Sequence, residues 1–206
     1  ALDGNLRDVD KTLKGDKRLS GMEIEIVDCG RQIQHSCAQI ASAAFRFSSS
    51  EPLLLITNQL YDHELIRRMA CERLAEGTIA TTLIDDSKEM VDWAGIDHCK
   101  EFCKQGHVHV IVKMLKAAGA PGAHSGRIAQ TAKKMLRFDA VSAGVHLIAP
   151  TFFDIIRRHQ DESDVATLTR VFGEVAAAGQ LCFVLTAELQ WYSELVISRL
   201  GTTLAA

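Results

Sequence analysis

Proline occurs at only three of the 206 positions. It marks where regular structure starts or stops, because its ring fixes φ and removes a backbone donor. Each of the three fits the start of a helix. Pro52 follows Ser50 and Glu51, an N-cap with an acidic first turn. Pro121 lies in a run of small residues, Ala118 to Ala123. Pro150 precedes Thr151-Phe152-Phe153-Asp154, a cap with an acid three residues on. The intervals between them leave room for helices of about 20 residues, so a mainly helical chain is expected.

Apolar spacing supports this over two stretches. After the capping box Ser20-Gly21-Met22-Glu23, residues Met22, Ile26, Cys29, Ile33, Cys37, Ile40, Ala44 and Phe47 recur every three or four positions. Near the other end, Val165, Leu168, Phe172, Val175, Gly179, Cys182, Leu189, Val196 and Leu200 keep a helical phase. The helix begun at Glu51 is expected to run to about Glu76, with Gly77 as its C-cap.

The middle of the chain points the other way. Residues 78–85, 107–112 and 180–186 are rich in β-branched or apolar residues, and each follows a glycine: Gly77, Gly106 and Gly179. Helix, glycine, strand is the rhythm of an α/β protein with a mostly parallel sheet, and this is the rival fold. The two long stripes favour the all-α reading: a helical bundle or short helical stack of about five to seven helices. It would consist of a polar arm over residues 1–18 and one helical domain over 19–206. Gly106 and Gly144 each precede an apolar run, a polar gap and a helix-like segment. This echo resembles armadillo or HEAT-type helical repeats, which implies a stack of helix pairs.

The formal charge of −3 argues against nucleic acid as partner. Its distribution is uneven: residues 51–104 are acidic, whereas residues 105–160 carry only Asp139 and Asp154 against eight Lys/Arg. The six cysteines, Cys29, Cys37, Cys71, Cys99, Cys103 and Cys182, form no CxxC pair, and no signal-peptide pattern occurs. Reduced thiols and a cytoplasmic setting are expected. No apolar run is long enough for a membrane span.

Three constellations have chemical potential. Cys99, Cys103 and His107 fall on one face if their segment is helical, where thiolates and an imidazole suit a metal; the spacing is not that of a known zinc module, and core cysteines are the plainer reading. Asp85-Asp86-Ser87-Lys88-Glu89 resembles the Asp-Asp-x-x-Asp/Glu motif of terpene and prenyl synthases, which implies magnesium and a diphosphate. No second such motif accompanies it, and two acids before a helix more often cap it. The glycines of the 119–127 loop precede a helix-like segment and could cradle phosphate on backbone N–H groups.

The densest basic face comprises Lys113, Lys116, Arg127, Lys133, Lys134 and Arg137, the last four on an expected helix from Ile128 to Leu136 or at its ends. With no catalytic set or cofactor motif discernible, the expected role is protein–protein interaction: an adaptor or structural subunit meeting an acidic partner through this face. The alternative is an α/β enzyme or phosphate-binding protein with its site near Asp85, Asp86 and the 119–127 loop. The second alternative is a metal-binding helical protein using Cys99, Cys103 and His107.

Overall fold

The structure, a computed structural model, describes residues 6–17, 20–21, 36–44, 50–56, 60–95, 112–117, 125–132, 135–159, 167–187 and 191–192. In chain order the elements are α1 (Leu6–Gly15), α2 (Ser36–Ala44), β1 (Leu53–Ile56), β2 (Leu60–Tyr61), α3 (His63–Cys71), β3 (Ala80–Asp85) and α4 (Lys88–Gly95). There follow β4 (Lys113–Lys116), β5 (Ser125–Ala132), β6 (Ala140–Ile148), α5 (Phe152–Arg158), α6 (Thr167–Ala177), β7 (Leu181–Leu185) and β8 (Trp191–Tyr192).

This is a mixed α/β protein, and it corrects the all-α expectation. Six strands form one sheet in the order β1-β6-β3-β7-β5-β4, and β4 pairs back onto β6 to close a ring. Closure rests on Lys113 opposite Val141 and Met114 opposite Ala140. β3 and β7 are parallel, Ala80 to Ile84 against Leu181 to Leu185. The other pairings among the described strands are antiparallel, so the sheet also departs from the mostly parallel rival. β2 and β8 form a separate two-stranded ribbon.

β6 shows how an apolar run can pass for part of a helical repeat. All nine of its residues are buried. A strand covered on both faces presents an apolar run without alternation, and periodicity cannot separate it from a buried helix. Along it Ala140 and Ile148 enter one core with α2, α5 and α6, while Val141, Ala143, Val145 and Leu147 enter a second with α3 and α4. The helices therefore cover opposite faces of the sheet. The resemblance to armadillo or HEAT repeats fails here, because Gly144 and the apolar run behind it are strand.

The helical stripe near the carboxyl end is broken at Gly179. Its φ of 68° closes α6, with Gly179 N–H donating to Ala176 O at 2.8 Å and Gln180 N–H to Val175 O at 3.0 Å. This paired cap needs a left-handed residue, which glycine supplies without a Cβ clash. The chain then leaves directly as β7. The earlier stripe is helical over Ser36–Ala44; the remainder lies outside the described residues.

Pro52 does not open a helix but stands immediately before β1, a position where its missing donor costs no ladder bond. The helix expected there starts only at His63, after Asp62 accepts the Glu64 N–H at 2.9 Å, and it ends at Cys71, well short of Gly77. Pro150 does precede a helix, although Thr151 makes no side-chain cap bond. The basic segment expected to be a helix from Ile128 to Leu136 is instead mostly β5. Pro121, Lys133 and Lys134 lie outside the described residues.

Gly126 is glycine for a steric reason. A Cβ there would lie 2.9 Å from Cε1 of Phe183, the residue opposite it on β7. The Phe183 ring is buried and has little room to retreat. Gly126→Ala is expected to cost about 1–3 kcal/mol, read as a lower urea midpoint at unchanged slope.

Candidate site at the carboxyl rim of the parallel strands

The parallel pairing brings the carboxyl ends of β3 and β7 side by side. Thr186 N–H donates to Ile84 O at 2.9 Å, carrying the ladder one step further. Antiparallel neighbours bring the other ends to the same rim. Val141 at the start of β6 faces Asp85, and Ser125 at the start of β5 faces Val184. Lys116, at the end of β4, continues past the start of β6, where its N–H donates to Asp139 Oδ1 at 3.0 Å. One rim thus gathers Asp85, Asp86, Lys116, Ser125, Asp139 and Thr186. Acids, a lysine and a hydroxyl from four strands and their ends are thus brought within reach of one another.

The two adjacent acids have different surroundings. Asp85 Oδ1 accepts the Ser87 N–H at 2.9 Å, and Oδ2 accepts the indole N–H of Trp191 at 2.7 Å. Asp86 Oδ2 lies 3.0 Å from Lys116 Nζ. That ammonium also stands 5.8 Å from the centre of the Phe183 ring, within cation–π range. Arg68 of α3 donates to the carbonyls of Leu185 at 3.0 Å and Thr186 at 3.4 Å, fixing the carboxyl end of β7 just before Ala187, whose φ is 57°.

The acids of the Asp85–Glu89 motif do not share one helix. Asp85 ends a strand, so the acids are not spaced one helical turn apart. Ser87 Oγ accepts the Met90 N–H at 3.4 Å, and the segment is a strand end followed by a helix cap. Both Asp85 oxygens already hold N–H donors, and no group of three His, Cys, Asp or Glu side chains forms a cation site among the described residues. Cys99, Cys103 and His107 lie outside them.

The described basic residues do not share a helix face. Lys116 belongs to the rim. Lys113 Nζ lies 4.6 Å over the Phe138 ring. Arg127 Nη1 donates to Gly179 O, at the opposite end of β7 from the rim. Arg137 is exposed in the turn before β6. Residues 119–124 of the glycine-bearing loop lie outside the described residues, but its flanks, Lys116–Ala117 and Ser125, stand at the rim.

Sequence reasoning missed Arg68, Asp139 and Trp191. Trp191 meets an acid 106 positions away and Arg68 a carbonyl 117 positions away, and no local pattern signals either contact.

Comparison with solved structures gives the class to which this architecture corresponds. The fold is shared with nucleotidyltransferases. The inositol-1-phosphate CTP transferase from T. maritima superposes with a TM-score of 0.62 at 14% identity, covering 96% of this chain and 72% of that one. An apo UDP-glucose pyrophosphorylase matches with a TM-score of 0.58 at 8% identity, covering 97% and 79%. A putative glucose-1-phosphate thymidylyltransferase from Bacillus anthracis matches at 0.57 and 9%, covering 98% and 72%. Neither a protein-family model nor any curated protein matches the sequence. The helical adaptor is overturned at its fold, and the fold found is that of the α/β alternative. No helix among the described residues is long and apolar enough to cross a membrane.

Proposed function

We propose that this protein is an α/β domain that binds a phosphorylated small molecule, a nucleotide or a sugar phosphate, at the carboxyl rim of β3 and β7. The observation that carries this reading is the 3.0 Å contact between Asp86 and Lys116. It joins the end of β3 to the end of β4, so the acids and the lysine meet at one place on the rim. A cation there can receive phosphate oxygens, and Ser125 adds a hydroxyl at the far flank of the loop. The solved structures of similar fold are named for work on sugar phosphates with nucleotides, which supports the same ligand class.

The test is calorimetric titration with CTP, UTP, glucose 1-phosphate and inositol 1-phosphate, each with and without magnesium. Binding of at least one, weakened about 10-fold or more by Lys116→Met, is the expected result. Pyrophosphate release from a bound nucleotide on adding a sugar phosphate would make the domain a transferase. Absence of binding to all four ligands would overturn the reading.

A further inference from the structure

Resting on that reading of the rim, we propose that Asp85 and Asp86 have opposite roles. Asp85 is a fixed positioning residue. Asp86 holds Lys116 in store and yields it to a pyrophosphate group, so that it selects for ligands of high negative charge.

Asp85 is committed on both oxygens, to the backbone N–H that begins the turn into α4 and to the indole of Trp191. Trp191 is 8% exposed and belongs to the core shared with α3 and α4. Taking Asp85 as a ligand would strip a buried indole of its acceptor, which is costly. Its placement makes it the tie between β3 and the β2–β8 ribbon.

Asp86 differs in each respect. Its contact is with an ammonium, and the two side chains are 35% and 26% exposed. Ion pairs this close to solvent contribute little net stability, so the pair can open at small cost. Lys116 is also prepared for exchange. Its backbone is held by Asp139, and its ammonium rests near the Phe183 ring, so the arm stays at the rim when Asp86 lets go. A pyrophosphate brings more charge and more acceptor oxygens than one carboxylate and can displace it. A ligand bearing a single carboxylate matches Asp86 at best and is repelled by it.

Inorganic pyrophosphate and acetate, titrated without divalent cations, test this with four variants. Asp86→Asn is expected to bind pyrophosphate about 3- to 10-fold more tightly than wild type. Asp86→Glu should restore the wild-type value, and Lys116→Met should lose binding about 10-fold or more. Acetate binding should become measurable only in Asp86→Asn. Asp85→Asn should shift the tryptophan fluorescence and lower the melting temperature, whereas Asp86→Asn should leave the fluorescence in place and move the melting temperature by less than about 4 °C. If Lys116→Met loses pyrophosphate while Asp86→Asn binds it no better than wild type, the storage role falls and the rim site stands. If wild type binds no pyrophosphate, the storage role falls, and the rim reading falls with it where the four phosphorylated ligands also fail to bind; if Lys116→Met binds pyrophosphate equally well, both fall.

Discussion

Lowering the pH from 7 to 4 is expected to remove about 3 kcal/mol of folding stability through His146 alone. This side chain is 4% exposed on β6, opposite Leu55 and Thr82, with its ring 4.3 Å from that of Phe172. Its Nδ1 has no hydrogen-bond partner among the described residues. Burial drives its pKa from 6.5 down to about 3, since the surroundings give an imidazolium nothing to offset lost hydration. The sign follows directly. Below about pH 6.5 the unfolded chain takes up a proton that the folded chain refuses until about pH 3. Stability therefore falls by about 1.4 kcal/mol for each unit within that window. Above it, His146 is neutral in both states and contributes no slope. Urea unfolding at several pH values checks this against His146→Leu. The variant should match or exceed wild type at pH 7 and exceed it by about 3 kcal/mol at pH 4. Parallel pH profiles for the two proteins would show that the acid sensitivity lies elsewhere.

Phe152→Ala is expected to cost about 3–5 kcal/mol, a large share of the roughly 5–15 kcal/mol that holds a domain folded. Phe152 has no exposed surface, and its ring centre lies 5.0 Å from that of Phe172 in the core under α2, α5 and α6. Truncation would open a cavity among elements held from several directions, so collapse would refill little of it. Phe152→Leu should recover more than half of the loss. Because Phe172 touches both Phe152 and His146, the double variant with His146→Leu should depart from additivity by about 0.5 kcal/mol or more. A loss below about 1 kcal/mol for Phe152→Ala would contradict the packing described here.

Parts of this architecture could be read from local residues. The β-branched run at 78–85 does become β3, and 180–186 contains β7. A helix does begin after Pro150. Capping after Asp85 and Asp86 also appears, with Ser87 as the acceptor for Met90. Other parts misled for identifiable reasons. The segment from Ile128, expected as a helix, is a strand through Ala132, and its register shifts against β4 between Leu115 and Lys116. The stripe through Gly179 joined a helix to a strand that happened to keep phase. The candidate acids were visible as a pair, but nothing local separated Asp85 from Asp86.

Local chemistry was enough to establish where several elements begin and which segments prefer an extended backbone, because caps, glycines and β-branched side chains act within a few residues. It also supplied the acids and the lysine. The tertiary structure alone decided that β3 and β7 lie parallel, that β4 returns to β6, and that Asp85 meets Trp191 while Asp86 meets Lys116. Those choices depend on strand pairing and register between segments 30 to more than 100 residues apart, set by burial on two faces of a sheet that no short window of sequence contains.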